Sequence, residues 1–556
     1  MLAYFLKNLK LQQYKRKTVR STKLLFFILF FAVTQAQVAE KPLVIVIPSY
    51  NNAQWLKKNL DSVFMQKYDN YRVIYINDAS TDETKELVEE YVKKHGLKNK
   101  ITLIHNPKNR GAMANHYTAA HMCEDHEIIA HLDGDDWFKH ENVLQKINKT
   151  YQDKNIWLTY GQYEHYFFNK EKNKFVRTPG NCKEMPKNII QAHAYREYDW
   201  ITSHLRTFYA GLFKQIKLQD FMGRGKFFDV SCDMAFMFPM LEMACGKIKF
   251  IDEVLHVYNC ATPLNDYKKK LIKQIDTGNF IKIKEKYKPL PSYKRNIPKH
   301  AKADILILSK NNPMQLYSAI ESVGLYVSNS GEIYVLYEAS DEQTNHAYKQ
   351  IAEECTNIQL LKTNKTCFKN NLENIIAGST NNYIVLSKDN LIVTDFIDIS
   401  TCIEMIEKTY AYGFYLHLGC KLKKNKNLLR NQNLPPHIEI SNNTHAWQFK
   451  YGEQEWRTPH NMKMTIYRKQ DMIHLLTELQ YNSCKSLWKI WNNQKFDLCN
   501  VGLFFENSKV AEIKNNQQAN LLELFNKHMK INISPFFLIN NTSTLIKDMF
   551  KFEKRT

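Results

Sequence analysis

Three short apolar runs in the first part of the chain each end in a cluster of polar residues. The runs are 42–47, 71–76 and 128–132, and segments with the spacing of amphipathic helices lie between them. Strands that alternate with helices are typical of right-handed βαβ units, which build sheets with parallel strands. Ligands of such sheets bind beyond the carboxyl ends of the strands. The pattern therefore predicts an α/β fold with a binding site where these runs end.

The third run ends in the acidic sequence Asp133-Gly134-Asp135-Asp136. Gly134 permits a tight turn, so two carboxylates one residue apart can converge on one point. Magnesium and manganese ions prefer oxygen ligands, and proteins usually hold them with one or two carboxylates plus substrate phosphates. An acidic surface turn is the alternative, because Asp and Gly are ordinary turn residues. The polar ends of the other strands favour a metal site.

Four motifs in this order resemble those of the family 2 glycosyltransferases. The motifs are Pro48-Ser49-Tyr50-Asn51, Asn77-Asp78-Ala79-Ser80-Thr81-Asp82, Asn109-Arg110-Gly111 and Asp133-Gly134-Asp135-Asp136. That family has the GT-A fold, an α/β domain that binds nucleotide sugars. The resemblance covers roughly residues 42 to 265. It implies an inverting, metal-dependent hexosyl- or N-acetylhexosaminyl-transferase that moves a sugar from a UDP-sugar to a glycan, lipid or protein acceptor.

The resemblance also implies roles for individual residues. Asp135 and Asp133 would hold Mn²⁺ or Mg²⁺, and His256 stands where several GT-A enzymes place a third ligand, with plain packing as its alternative. Gly111 would remove side-chain bulk beside the base or diphosphate. Asn77 departs from the family, which often has an acid there. The nucleotide-sugar contacts implied are Pro48, Ser49, Tyr50, Asn51, Asp78, Arg110, Gly111, Asp133 and Arg206.

Inversion needs a base that takes the proton of the acceptor hydroxyl, and one carboxylate is enough. Asp233, which precedes the apolar segment 234–243, stands at the place of the base in related transferases. Helix capping is the alternative role, because Asp is a favoured cap, and Asp229 is the second choice of base. The segment 200–208 resembles a His-x-Arg-x-Phe stretch, through which Arg206 or His204 would contact the diphosphate or the acceptor.

The strand pattern restarts after a basic, proline-containing linker at 286–302, with strands expected at 304–308, 333–337 and 383–386. We interpret this as an internal repeat: a catalytic GT-A domain over 42–285 and a second GT-A-like α/β domain over 303–556.

In this second module, Ser387 is expected to replace Asp133 and Lys388 to replace Gly134, so that Asp389 alone survives. A lysine ammonium would repel a divalent cation. We expect a degenerate module for acceptor binding, scaffolding or pairing, with a divergent second active site as the alternative. Tryptophans that could stack on sugars, or form core, are Trp447, Trp456, Trp488 and Trp491.

Bulk properties limit the remaining possibilities. A chain of 556 residues is too long for one core. A net charge of +21 suits anionic membranes, acidic glycans or nucleic acid, but the absence of known nucleic-acid-binding motifs argues against nucleic acid as a partner. Eleven cysteines without a CxxC pair argue against a structural zinc site and a dense disulfide framework.

The N-terminus has the composition of a targeting signal. Residues 1–23 are rich in Lys and Arg and contain no acid, and an apolar run at 24–33 is followed by Thr34-Gln35-Ala36. The run is short for a membrane span and fits a signal peptide over 1–36, with a short signal anchor as the alternative. We therefore expect a membrane-associated or exported protein.

Two other functions remain to be weighed. A nucleotidyltransferase would need a glycine-rich phosphate loop, and residues 48–54 contain no glycine. A non-catalytic glycan-binding or scaffold protein is compatible with the losses in the second module. The acids at Asp78, Asp133, Asp135 and Asp233 favour a transferase in the first module.

Overall fold

The computed structural model describes residues 39–262, 269–422, 424–425, 430–431, 433–441, 443–514, 520–539, 545–547 and 550–555. The targeting signal expected at 1–36 lies outside these residues, so membrane association or export stays a prediction. Among the residues described, no helix is both long enough and apolar enough to span a bilayer.

The first half of the described chain alternates strands and helices. Its strands are β1 Leu43–Ser49, β2 Tyr71–Asn77, β3 Ile101–His105, β4 Ile128–His131, β5 Trp137–Phe138, β6 Leu158–Asn169, β7 Lys174–Pro179, β8 Thr207–Tyr209, β9 Met222–Gly223, β10 Lys226–Phe227 and β11 Ile248–Asn259. Its helices are α1 Ala53–Phe64, α2 Thr84–Lys94, α3 Ala112–His121, α4 Val143–Thr150, α5 Lys187–Gln191, α6 Ala210–Lys214, α7 Cys232–Ala244 and α8 Leu271–Lys282, with a 3-10 turn at Leu218–Phe221.

The main sheet of this half has the order β3-β2-β1-β4-β8-β6-β11-β5, and β7 pairs with β6. Strands β1 to β4 are parallel, and β8 is antiparallel to both of its neighbours. Ser49 lies beside Asn77 at the ends of β1 and β2, and Val46 lies beside His131 on β4. The predicted motifs therefore meet at one edge, and the prediction of an α/β fold is confirmed.

The second half repeats this alternation. Its strands are β12 Ala303–Lys310, β13 Val327–Ser328, β14 Ser330–Glu338, β15 Ile358–Lys362, β16 Tyr383–Lys388, β17 Leu391–Val393, β18 Ile397–Asp398, β19 Gly413–Tyr415, β20 Lys424–Asn425, β21 Arg430–Asn431, β22 His437–Ser441, β23 Thr444–Gln448, β24 Thr465–Arg468, β25 Val501–Phe505, β26 Val510–Lys514, β27 Met529–Ile531, β28 Leu545–Lys547 and β29 Phe552–Lys554. Its helices are α9 Pro313–Tyr326, α10 Glu342–Glu354, α11 Phe368–Gly378, α12 Ile399–Thr409, α13 Lys469–Glu478, α14 Cys484–Trp491 and α15 Leu521–Asn526, with 3-10 turns at Phe449–Tyr451, Gln454–Arg457 and Ser534–Phe536.

The two halves share one sheet topology. The order β15-β14-β12-β16-β24-β19-β25 in the second half repeats the order β3-β2-β1-β4-β8-β6-β11 in the first, and β23 and β22 extend it. The parallel and antiparallel pairings also agree at every step. The repeat seen in the sequence is therefore a repeat of structure.

The strand pairing corrects the expected alignment of the acidic motif in the second half. The carbonyl of Pro48 accepts a hydrogen bond from the amide of Gly134 at 3.0 Å, and the carbonyl of Leu308 accepts one from Asp389 at 3.2 Å. Since Pro48 and Leu308 occupy the same place on their strands, Asp389 stands where Gly134 stands. The similarity of two aspartates shifted the sequence alignment by one residue.

With this register, Lys388 takes the position of Asp133, and Asn390 takes that of Asp135. The side chain of Asp389 accepts hydrogen bonds from the Ser309 hydroxyl at 2.8 Å and from the Asn312 side chain at 3.1 Å. The surviving aspartate is therefore a structural group inside the second module, and neither acid of the predicted metal pair is retained.

The linker holds the two modules together. The guanidinium of Arg295 donates to the carbonyl of Lys214 at 3.0 Å in the first module. It also donates to the carbonyls of Lys408 at 3.1 Å and of Glu407 in the second module. The domain boundaries expected at 42–285, 286–302 and 303–556 stay predictions, but the linker is fixed on both sides.

Candidate active site

The ends of β1, β2 and β4 surround a cleft of about 330 Å³. It is lined by predicted site residues from three motifs and from the predicted base region, namely Pro48, Ser49, Tyr50, Asp78, Asp133, Asp135, Arg206 and Asp233. Four predicted residues, Asn51, Arg110, Gly111 and His256, are not part of its lining. The structure therefore brings the predicted acids together in one cleft and places the other four predicted residues outside its lining.

The acidic turn fits against the end of β1 because residue 134 has no side chain. A Cβ atom at Gly134 would lie 2.6 Å from the Ser49 hydroxyl and 2.8 Å from the side-chain nitrogen of Asn52. The amide of Asp136 donates to the carbonyl of Asp133 at 3.0 Å and closes the turn. Gly134 is needed for this close approach.

Two buried asparagines hold the turn from outside the motif. Asn59 on α1 donates to the carbonyls of Asp133 at 3.0 Å and Asp136 at 2.7 Å. Asn259 at the end of β11 donates to the carbonyl of Asp135 at 3.1 Å. Sequence analysis missed both roles, because an asparagine distant in sequence carries no local signal of the turn that it supports.

His256 supports the turn rather than lining the cleft. It is fully buried, and its Nε2 lies 2.8 Å from Oδ2 of the equally buried Asp136. The other oxygen of Asp136 accepts from the amide of Asn259 at 2.7 Å. One nitrogen of the ring thus positions Asp136, while Nδ1 has no hydrogen-bond partner among the described residues. Asp136, His204 and His256 offer potential ligand atoms within 4.8 Å of one another, so the role of His256 as a metal ligand stays a prediction.

The three acids of the turn repel one another. Burial, and then the charges of Asp136 and Asp233, raise the pKa of Asp133 to about 6. Burial, Asp136 and Asp133 raise the pKa of Asp135 well above its ordinary value. Burial also raises the pKa of Asp136 to about 7, against the hydrogen bond from Asn259. A divalent cation would relieve this repulsion, so Asp133 and Asp135 fit the metal pair that the sequence predicts.

Two histidines that sequence analysis missed lie beside the acids. The ring centroids of His116 and His131 are 3.9 Å apart, and Nε2 of His131 is 3.7 Å from Oδ1 of Asp133. Within the described chain, that Nε2 has no hydrogen-bond partner. His131 was hidden in an apolar run, and the position of His116 on α3 depends on the tertiary fold.

Asp78 organises the loop that leads into α3. Its carboxylate accepts from the amides of Arg110 and Gly111, both at 2.8 Å, and from the Asn106 side chain at 2.7 Å. Gly111 has φ of +84°, and no described atom lies within 4 Å of an added Cβ. Glycine therefore suits this left-handed backbone conformation, and the expectation that it removes bulk beside the base or diphosphate stays a prediction.

Asn51 ties the first two polar loops together. Its side-chain oxygen accepts from the amide of Thr81 at 2.7 Å, and its own amide donates to the hydroxyl of Ser80 at 3.0 Å. Asn51 therefore supports the loop that carries Tyr50, and its role as a direct nucleotide contact stays a prediction.

Arg110 reaches away from the cleft. Its guanidinium donates to the carbonyl of Glu439 on β22 at 2.9 Å. This side chain joins the loop of residues 109–111 to the second module, and its contact with the base or diphosphate stays a prediction.

Asp233 and Arg206 form the opposite side of the cleft. Asp233 is the second residue of α7, and its Oδ2 lies 3.2 Å from Nη1 of Arg206. Ser231 occupies the cap position of α7, so Asp233 is not the cap residue. The second-choice base, Asp229, pairs with Lys273 and is absent from the cleft lining.

The second module also lacks an acid at the position that matches Asp233. Helix α14 begins at Cys484 after Ser483, as α7 begins at Cys232 after Ser231, so Lys485 matches Asp233. Three of the four tryptophans considered as sugar platforms are fully buried, and Trp488 is 50% exposed. The buried tryptophans are Trp447, Trp456 and Trp491.

The sequence profile of glycosyl transferase family 2 matches residues 44–235. That range extends from β1 to the start of α7 and includes Asp133, Asp135 and Asp233. Residues 44–235 are a family 2 glycosyltransferase domain. The family predicted from the motifs is confirmed, and the fold is a GT-A-like α/β fold followed by a second sheet-rich domain.

Three similar proteins illustrate the extent of the likeness. The glycosyltransferase GlyG of Streptococcus pneumoniae is 26% identical over 219 residues, which cover 38% of this chain and 69% of GlyG. TarS of S. aureus, in complex with UDP-GlcNAc, aligns with 15% identity and a TM-score of 0.28 over 40% of this chain and 59% of its own. The mannosyltransferase PcManGT from Pyrobaculum calidifontis, in complex with GDP-Man and Mn²⁺, aligns with 18% identity and a TM-score of 0.32 over 48% of this chain and 72% of its own.

Further curated glycosyltransferases match the chain over 16% to 53% of their own lengths. The likeness to known proteins therefore involves partial lengths on both sides.

Proposed function

We propose that the family 2 domain is an inverting transferase that moves a hexosyl or N-acetylhexosaminyl group from a UDP-sugar to a glycan, lipid or protein acceptor. The observation that carries this proposal is the meeting of Asp133, Asp135 and Asp233 in one cleft. Acids on both sides of a cleft supply what sugar transfer needs, a cation site for the diphosphate and a base for the acceptor.

The nucleotide binds at the ends of β1 and β2. Tyr50 is 39% exposed and lines the cleft, so its ring is available to stack on the base. Asp78 shapes the adjoining loop through its bonds to the amides of Arg110 and Gly111. The donor therefore lies between Tyr50 and the acidic turn.

Asp133 and Asp135 hold Mn²⁺ or Mg²⁺ in this proposal, because hard cations prefer carboxylate oxygens. When bound, the ion neutralises the charge that develops on the departing nucleotide diphosphate. Asn59 and Asn259 keep the turn in shape, since both donate to its backbone carbonyls.

Asp233 takes the proton from the acceptor hydroxyl. Its carboxylate is 29% exposed, so an acceptor can reach it, while Arg206 is 3% exposed and fixes one of its oxygens. Arg206 is a positioning residue in this scheme. His204 lies 3.4 Å from the same guanidinium and completes this side of the cleft.

The second module does not transfer sugar in this proposal. Lys388 and Asn390 stand in place of the metal acids, and Lys485 stands in place of the base. The module acts as a scaffold that binds the loop of residues 109–111 through the hydrogen bond between Arg110 and the carbonyl of Glu439. A whole chain that only binds glycans is the second candidate function, and the buried tryptophans of this module do not favour it.

Substitution of the proposed base tests the mechanism. Asp233→Asn should lower kcat by about 100- to 10,000-fold, as expected for the loss of a general base. Asp229→Asn is the matched control, because this acid lies four residues away and outside the cleft. The anomeric configuration of the product, followed by NMR, should be inverted relative to the donor. Net retention, or equal effects of the two substitutions, would contradict the proposal.

A further inference from the structure

A cluster of metal-ligating side chains lies in the second module, far in sequence from the acidic turn. Cys420 follows β19, His437 begins β22 and His445 lies on β23, and their potential ligand atoms are all within 4.8 Å of one another. Strands β22 and β23 are paired, so the two histidines share one face of a hairpin. The three residues form a compact site.

The hydrogen bonds of the two histidines leave one nitrogen of each ring free to bind a metal. His437 donates through Nδ1 to the carbonyl of Pro435 at 3.0 Å. In this tautomer Nε2 is unprotonated, and its lone pair can bind a metal. His445 donates through Nε2 to the carboxylate of Glu506 at 2.8 Å. Metal-binding histidines characteristically place their second nitrogen against a carbonyl or a carboxylate in this way.

The remaining nitrogen of His445 is buried without compensation. The side chain is 9% exposed, and Nδ1 has no hydrogen-bond partner among the residues that the structure describes. A buried polar atom without a partner costs about 1–3 kcal/mol. A bound cation would satisfy this atom.

The backbone places Cys420 beside the same carboxylate-bearing loop. The amide of Cys420 donates to the carbonyl of Glu506 at 2.8 Å. A Cβ at Gly419 would lie 2.4 Å from the amide nitrogen of Ser508, so glycine permits this close approach. The Glu506 carboxylate lies 2.8 Å from His445, and Glu439 is paired with His445 across the hairpin, so two acids adjoin the site and favour a cation.

We propose that Cys420, His437 and His445 bind a zinc-type divalent transition-metal ion. Thiolate and imidazole are the ligands that select such ions over Mg²⁺ and Mn²⁺. Tetrahedral bonds of about 2.0 to 2.3 Å place ligand atoms about 3.3 to 3.8 Å apart, and one potential ligand atom of each residue lies within 4.8 Å of the others. A fourth position is left for water or Glu439. The proposal revises the expectation of no structural zinc, because these ligands come from separate strands rather than a CxxC pair.

The site lies next to the contact between the modules. Glu439, two residues after His437 on β22, offers its carbonyl to Arg110 of the first module. An ion that links β22 to β23 and to Cys420 would hold β22 in place. Strand β22 in turn binds Arg110 in the loop of residues 109–111.

Metal analysis of the full chain tests the proposal directly. After purification with Zn²⁺ and extensive dialysis, elemental analysis should find about one zinc per chain. Replacement with Co²⁺ should give a thiolate-to-cobalt charge-transfer band together with visible d–d bands of tetrahedral cobalt. Both signals should be lost in Cys420→Ser and in His445→Ala. Glu506→Gln should keep the band but weaken affinity about 10- to 100-fold, as expected for a partner of a ligand.

The matched controls are Cys499→Ser and His474→Ala, which replace exposed residues of the same module. Both should retain the metal and the cobalt spectrum. Less than a tenth of an equivalent of zinc with no cobalt band in the unmodified chain would overturn the proposal, and so would a thiolate band that survives in Cys420→Ser. The zinc content and the cobalt spectrum of the unmodified chain test the proposal even if a variant does not fold.

Discussion

The residue at position 134 is a main difference between the acidic turn of the first module and the corresponding turn of the second. In the first module Gly134 lets the acidic turn lie against Ser49 and Asn52, which leaves two aspartates facing the cleft. In the second, Asp389 fills the same space, and its carboxylate is bound by Ser309 and Asn312. The change at this position, together with Lys388 and Asn390 in place of Asp133 and Asp135, gives the second module a structural turn where the first has the proposed cation site.

Gly134→Ala should therefore destabilise the protein. A Cβ 2.6 Å from the Ser49 hydroxyl would force the turn to shift, and overpacking of this kind costs about 1–3 kcal/mol. Gly324→Ala on α9 is the control, because no described atom lies within 4 Å of its Cβ, and it should be neutral or stabilise by up to about 1 kcal/mol. Denaturant unfolding of both variants measures the free energies, and equal values would refute the argument.

Metal affinity should depend on the protonation of Asp133. Its pKa is raised from 3.8 to about 6 by burial and by Asp136 and Asp233. Protons compete for a carboxylate ligand, so affinity for Mn²⁺ should fall about tenfold between pH 7 and pH 5. Titration calorimetry at both pH values measures this, and an affinity that does not change would contradict the electrostatic account.

The raised pKa of Asp133 also determines how the stability of the metal-free protein changes with pH. Because the folded-state pKa of Asp133 is raised, its favourable contribution is present below the ordinary pKa near 3.8 and is lost as pH rises through about 6. Thermal unfolding without metal should show this loss, and Asp133→Asn should reduce it.

At the scale of elements, helix α7 carries the proposed base and is anchored by a buried ion pair. Arg196 bonds to Glu242 at 2.6 and 2.8 Å, and the two side chains are 2% and 0% exposed. Arg196 also donates to the carbonyl of Ile281 at 2.8 Å, so the pair joins α7 to the end of α8.

Glu242→Gln should cost about 3 kcal/mol of stability, because it leaves the buried guanidinium without its counter-charge. Glu404→Gln removes a more exposed pair with Lys408 on α12 and should cost less than about 1 kcal/mol. Chemical denaturation compares them. A loss below about 1 kcal/mol in Glu242→Gln would show that the pair does not anchor α7.

The elements were largely predictable from local pattern, but the supports of the site were not. The apolar runs before Ser49, Asn77 and Asp133 located the parallel strands, since buried strands and polar strand ends are local signals. Asn59 and Asn259 were missed because their partners are backbone carbonyls distant in sequence. The alignment of Asp389 failed for a related reason: strand register depends on pairing, which residue similarity does not reveal.

At the scale of the molecule, the modules should behave as one cooperative unit. Arg295 bonds to backbone carbonyls on both sides, and the Tyr410 hydroxyl of the second module donates to Gln215 of the first at 2.6 Å. Calorimetry should therefore show a single transition for the whole chain.

Arg295→Ala should lower the melting temperature and broaden or split this transition, because both modules lose a shared contact. Arg177→Ala, which removes a partly exposed arginine of β7, is the control and should leave the transition nearly unchanged. Two separate transitions in the unmodified protein would show that the modules unfold independently.

If sugar transfer takes place in the first module, it should depend on the acidic turn of that module. Release of UDP by the purified chain, measured with Mn²⁺ across a panel of UDP-sugars and candidate acceptors, tests it most directly. We expect release with one donor, loss of that release in Asp135→Asn, and full activity in Lys388→Asn, the matched change at the corresponding turn of the second module. Release that survives in Asp135→Asn, or that is lost in Lys388→Asn, would contradict it.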